Sequence, residues 1–165
     1  MGRGRSPQER SYDVWTDRFA LPVAYSLPKG HKARSRRRLP VLCFLHGDKE
    51  CQEGPEKEKG KSIETAFREH GPLADTASPM RNEFIIVCPQ LKYPGGNEWD
   101  KHWGTVLDIV KQIHTKYRGD PANTFLTGFS YGGNGVFRIA EPFNWKALWV
   151  VDPTVPPKAT LPILP

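Results

Sequence analysis

The segment from Leu39 to Gly47, LPVLCFLHG, is apolar almost throughout instead of at every second position. A strand of that kind is buried on both faces, which places it in a sheet covered by helices on each side. EFIIVCPQ, Glu83 to Gln90, reads the same way, and NTFLTGFS and KALWVVDP add a third and a fourth strand. Segments of helical period lie between them. Ser62 is an N-cap candidate for a short helix with Ile63, Ala66, Phe67 and His70 on one face and a stop at Gly71-Pro72. Thr105 opens the clearest helix, with Asp108 in capping-box position and Val106, Ile109, Val110, Ile113 and Tyr117 along one side. Strands alternating with helices predict an α/β fold, a mostly parallel sheet with helices on both faces.

The 165 residues suit one domain. MGRGRSPQER reads as a disordered basic tail over residues 1–10, which leaves 11–165 as a single domain. RFALPVAYSLPKG predicts a peripheral antiparallel strand, and DKECQEGPEKEKGK an exposed loop. In the closing TVPPKATLPILP only LPIL resembles the start of another strand.

The net charge of +6 comes largely from Arg3, Arg5 and the run ARSRRR at Ala33 to Arg38. No aromatic-interleaved basic motif accompanies that charge, so nucleic acid is not an expected partner. No run approaches the roughly 20 apolar residues of a membrane span, and no membrane partner is expected. Cys43, Cys51 and Cys88 are odd in number, two of them inside strands, which points to a reducing, cytoplasmic setting. Neither a zinc-type cluster nor a phosphate-cradling loop occurs, so no metal and no cofactor is expected.

The chemistry concentrates at Gly128-Phe129-Ser130-Tyr131-Gly132, a G-x-S-x-G pattern with a strand before it and a helix after it. The turn is so sharp that side chains at Gly128 or Gly132 would collide, and it leaves Ser130 projecting at the sheet's C-terminal edge. The helix N-terminus there aims its dipole and free N–H groups at developing negative charge. His46-Gly47, at the end of the first buried strand, supplies the matching element. Backbone N–H groups of Gly47 or Asp48, with that of Tyr131, would form an oxyanion hole. The His46 side chain orders this loop and does not act as the base, or it is simply a polar strand end. Tyr93, Trp99 and Trp103, on the loop after the second buried strand, either line an acyl or aromatic pocket, with His46 nearby, or pack that loop over the core.

Taken together, YSLPKG, LPVLCFLHG, HGPLA, FIIVCPQ, YRGDPANTFLTGFSYGGNGVFRIA and ALWVVDP resemble the α/β-hydrolase superfamily. The likeness, from about Leu21 onward, is to the esterase and predicted-peptidase branch, which includes polyester depolymerases, feruloyl esterases and prolyl oligopeptidase catalytic domains. It implies hydrolysis of a small-molecule ester or a short peptide-like substrate through an acyl-enzyme on Ser130. Two departures stand out. Asp48 and Lys49 occupy positions where such families often have small residues, which brings an acidic side chain beside the presumed anion site. All five histidines (His31, His46, His70, His102, His114) precede Ser130, whereas the family orders its triad as nucleophile, acid, histidine. The resemblance also implies that the last strands of the sheet are missing. Asp152 is an acid candidate, the alternatives being that it is a turn former before Pro153 and that the acid follows the strand that LPILP begins. The chain then reads as part of an ester hydrolase without its catalytic histidine. The alternatives are a non-catalytic binding or assembly module that self-associates through an open sheet edge, and recruitment of His102 as a substitute base.

Overall fold

The computed structural model describes residues 12–31, 36–54, 58–141 and 143–155. The basic tail at 1–10, part of the arginine run and the LPIL segment lie outside them. In chain order the elements are β1 (Asp13–Trp15), β2 (Val23–Ser26), β3 (Leu39–Leu45), α1 (Ile63–Glu69), α2 (Met80–Glu83), β4 (Ile85–Pro89), α3 (Glu98–Lys101), α4 (Trp103–Tyr117), β5 (Gly119–Phe129), α5 (Tyr131–Ile139) and β6 (Ala147–Val151). The strands form one sheet in the order β1-β2-β4-β3-β5-β6. The β4-β3-β5-β6 portion is parallel, and β2 pairs antiparallel with both β1 and β4.

Why β3 and β4 carry unbroken apolar runs is visible in the two cores. Val41, Cys43 and Leu45 of β3, with Ile85 and Val87 of β4, pack with α4 and α5 residues such as Ile109, Ile113, Val136 and Ile139. The alternate positions Leu42, Phe44, Ile86 and Cys88 pack on Ile63, Ala66 and Phe67 of α1. Each face therefore buries side chains worth about 1.5–3 kcal/mol apiece, and a polar residue on either face would forfeit that gain. Burial also pushes the Cys43 and Cys88 thiols up, so both remain unionised small hydrophobes.

Helix boundaries follow local chemistry. Ser62 Oγ accepts the Thr65 N–H at 3.3 Å, as its sequence position predicts. His70, expected on the buried face, instead caps the end of α1 and stays exposed, its ring 3.8 Å from the Glu50 carboxylate. The long helix α4 begins at Trp103, not Thr105. Here α3 leads directly into it through His102 (φ −104°, ψ 9°), so Thr105 lies inside the first turn and Asp108 pairs with Lys111 at 3.4 Å instead of capping. Arg118, at φ 60°, ends the helix in a left-handed step.

Three further differences from the sequence reading arise from contacts distant in sequence. The peripheral strand β2 is flanked by a short outer strand, β1. The strand into the serine is longer than expected because Gly119 already pairs with Leu39, and a bulge follows in which the Asp120 carboxylate accepts from Ala122 and Asn123. Residues 48–54 are not a free loop: Glu50 and Cys51 are buried, and the amides of Gln52 and Glu53 bond the carbonyls of Leu91 and Lys92. In keeping with the open edge expected from the sequence, β6 is the outermost strand among the described residues on its side and is exposed, with Trp149 at 67%.

Candidate active site

Ser130 joins β5 to α5 at φ 53°, ψ −118°, a region that non-glycine residues occupy only when their surroundings force them there. Those surroundings are identifiable. A Cβ on Gly128 would stand 2.9 Å from the Gly133 nitrogen and closer still to the Gly132 carbonyl. A Cβ on Gly132 would stand 2.6 Å from the His46 carbonyl oxygen and closer to that of Leu45. The first turn of α5 thus lies against the backbone end of β3 as well as against its own strand. Ser130 N–H donates to Val151 O at 2.9 Å, and Ser130 O accepts from Asn134 N–H at 3.2 Å, so both sides of the strained residue are fixed.

The β3 end is ordered by His46, which is wholly buried. Its Nε2 accepts the Leu91 N–H at 2.9 Å, which leaves Nδ1 to donate to the Gly47 carbonyl at 2.6 Å. That tautomer is the neutral ring. Burial lowers its pKa to about 4, against the smaller opposing effect of the Gly47 carbonyl. With both nitrogens occupied and the ring uncharged, His46 holds the Gly47-Asp48 backbone and has no lone pair left for a substrate proton. The Glu50 carboxylate lies under the same loop, 3.1 Å from where a Gly47 Cβ would be, balanced by Lys61 at 3.6 Å.

Asp48 does not leave its carboxylate loose beside the presumed anion site. Its Oδ1 accepts the Gly95 N–H at 3.0 Å. Tyr131, the residue after the serine, accepts the Glu98 N–H at 2.9 Å on its hydroxyl and donates to the Gly95 carbonyl at 2.6 Å. Sequence reasoning valued these two residues for their amides and did not foresee the side-chain bonds; the only signal was the Gly95-Gly96 pair in that loop. Of the three aromatics on this loop, Trp99 is buried in the core, where its ring lies 2.6 Å from the position a Gly135 Cβ would take. Trp103 and Tyr93 are 45% and 50% exposed.

The remaining candidates are dispersed. Asp152 follows β6 in a left-handed conformation (φ 49°) and is exposed. The two residues beyond Pro153 are tied down by Asn134, whose Oδ1 accepts the amides of Thr154 and Val155 at 2.9 and 3.1 Å. None of the histidine contacts described involves Ser130. His31 bonds the Tyr117 carbonyl, His70 faces Glu50, His102 lies 3.9 Å from Glu98, and His114 bonds the Thr124 hydroxyl. No helix of the described residues is long and apolar enough to cross a membrane.

No family model and no curated protein sequence matches the chain. Solved structures do. The Francisella virulence factor BioJ superposes with a TM-score of 0.61 at 20% identity, over 87% of this chain and 44% of its own. Acetyl xylan esterase from Aspergillus awamori gives 0.56 at 16%, over 79% and 46%. Thermogutta terrifontis esterase 2, in a form phosphonylated by sarin, gives 0.59 at 14%, over 90% and 56%. The chain spans about half the length of these structures. At such identities the likeness is one of fold, and with the strained serine turn and the strand order it leads to one statement: this chain has the α/β-hydrolase fold.

Proposed function

We propose that the chain carries the acylation centre of a serine hydrolase acting on carboxylic esters. One observation carries the reading: a serine held at φ 53°, ψ −118° between a buried parallel strand and a helix N-terminus, beside a second backbone loop ordered by a buried histidine. Ser130 Oγ attacks the ester carbonyl carbon, and the carbonyl π electrons move onto oxygen. The amides of Tyr131 and of Gly47 or Asp48 receive that charge. Collapse breaks the bond to the leaving alcohol, and water later releases the acid. Since no histidine hydrogen-bonds Ser130 among the described residues, the serine proton passes to solvent, and turnover by this chain alone is held to roughly 10³ to 10⁴ over the uncatalysed rate.

The test is labelling of the full chain with a fluorophosphonate. The Oγ–P bond forms, the P–F bond breaks, fluoride leaves and the hydroxyl proton goes to solvent. Intact-mass analysis and peptide mapping are expected to find one adduct, on Ser130, absent from Ser130→Ala. An unlabelled Ser130, or equal labelling of Ser130→Ala, removes the proposal. A related esterase of this fold is phosphonylated by sarin, which guides the choice of probe.

A second reading, a module that assembles through its sheet edge, is favoured by one feature. Leu148, Trp149 and Val151 of β6 are exposed beside an apolar groove of about 530 Å³ whose walls include Phe44, Pro72, Phe84 and Phe125. Unpaired strand edges of apolar composition recruit other strands. On this reading, sedimentation shows concentration-dependent dimers that Trp149→Lys disperses; a monomer at every concentration tested excludes it.

A further inference from the structure

Two separate pieces of backbone, the loop after β3 and the head of α5, must be held at one spacing for their amides to bind a single oxyanion. A spacing error of about 1 Å in such a pair can cost on the order of 10²-fold in rate. The residues that would donate those amides, Asp48 and Tyr131, also send their side chains to one and the same peptide segment. Asp48 Oδ1 accepts the N–H of Gly95, and Tyr131 Oη donates to the C=O of Gly95, with Gly96 O at 3.1 Å as a second acceptor. Tyr131 Oη in turn accepts the Glu98 N–H, which fixes the far end of the turn to the start of α3. Gly95 and Gly96 stand at φ 74° and 60° with nothing within 4 Å of their Cβ positions, so glycine is favoured there by backbone conformation and not by lack of space.

We infer that Gly95 is a tie between the two halves of the anion site, and that Asp48 and Tyr131 are positioning residues whose side chains set the spacing of their own amides. The inference rests on the reading of Ser130 as the nucleophile. Neither side chain touches the reacting atoms. The Asp48 charge is held against an amide, so what counts is its acceptor oxygen, which asparagine would also provide. The Tyr131 hydroxyl both donates and accepts, and phenylalanine removes both bonds while keeping the ring.

The experiment measures the fluorophosphonate reaction of Ser130 in the full chain, separating the maximal rate of labelling from the half-saturating probe concentration. Tyr131→Phe and Asp48→Ala are expected to lower the maximal rate roughly tenfold to hundredfold, with the half-saturating concentration little changed. Asp48→Asn is expected to restore the wild-type rate. The double variant Asp48→Ala/Tyr131→Phe should be little slower than either single one, because each already releases the same segment. If Asp48→Asn instead reacts faster than wild type, Asp48 acts through its charge and the inference fails. It also fails if the single variants label at the wild-type rate, in which case Ser130 stands as nucleophile without the tie. If wild-type Ser130 is not labelled at all, both readings fall together. Thermal unfolding of each variant separates a loss of rate from a loss of fold.

Discussion

Gly132→Ala is expected to yield no stably folded protein. The added methyl would meet backbone, not a movable side chain: it would stand 2.6 Å from the His46 carbonyl oxygen and nearer to that of Leu45. Relief requires α5 to lift off the end of β3, and with it Val136 and Ile139 to leave the core they share with Leu45. Forced overpacking costs typically 1–3 kcal/mol and more where neither side can yield, against a total stability of about 5–15 kcal/mol. Gly104→Ala is the matched control. It lies within α4 with nothing inside 4 Å of its Cβ position, so it should gain up to about 1 kcal/mol from helix propensity. Urea unfolding of the two variants beside wild type measures both; a Gly132→Ala protein as stable as wild type would mean that α5 and β3 are not in backbone contact.

The second large effect is on pH dependence. His46 and His114 are both lowered to about 4 by burial, His114 further by the charge of Arg38 and less than it would be without Asp120. In each case the folded state prefers the neutral ring. As pH falls below about 6.5, the unfolded chain takes up the two protons first, so this stability is intact above 6.5 and is lost as pH falls toward 4. For His46 the loss is on the order of 3 kcal/mol. The cause is burial, and a proton on Nε2 would also face the Leu91 N–H it now accepts. Unfolding free energy measured between pH 7.5 and 5 should fall with a slope that approaches two protons near pH 5, and His114→Gln should halve that slope. A flat profile would show that neither ring is held neutral.

The parts of this architecture that sequence reveals are those set by burial. The unbroken runs of β3 and β4, and the glycines around Ser130, each report a local demand: two covered faces in one case, a near collision of backbones in the other. What escaped depends on partners distant in sequence. Helix α3 spans four residues among glycine and asparagine and is fixed because Trp99 seats under Gly135. Strand β1 has three residues, too few to show a period, and is defined by its pairing to β2. The candidate site divides the same way. Ser130 and the flanking amides are legible from the motif, whereas the bonds from Asp48 and Tyr131 to Gly95 and from Asn134 to Thr154 join hydroxyl, amide and carboxylate groups across loops that have no repeat to read.

The amide of Ser130 is held by the carbonyl of Val151, the last residue of an outermost strand that solvent reaches along its length. Edge strands of this kind open at the low end of a protein's free-energy scale, well before the central strands release. One of the bonds that hold the serine's strained conformation is therefore exposed to fraying at the margin of the sheet, while the contacts of Gly132 with the end of β3 belong to its centre. Amide hydrogen exchange at Ser130 would keep time with that of β6, and anything that covers the margin would lengthen the fraction of time the serine spends in that conformation.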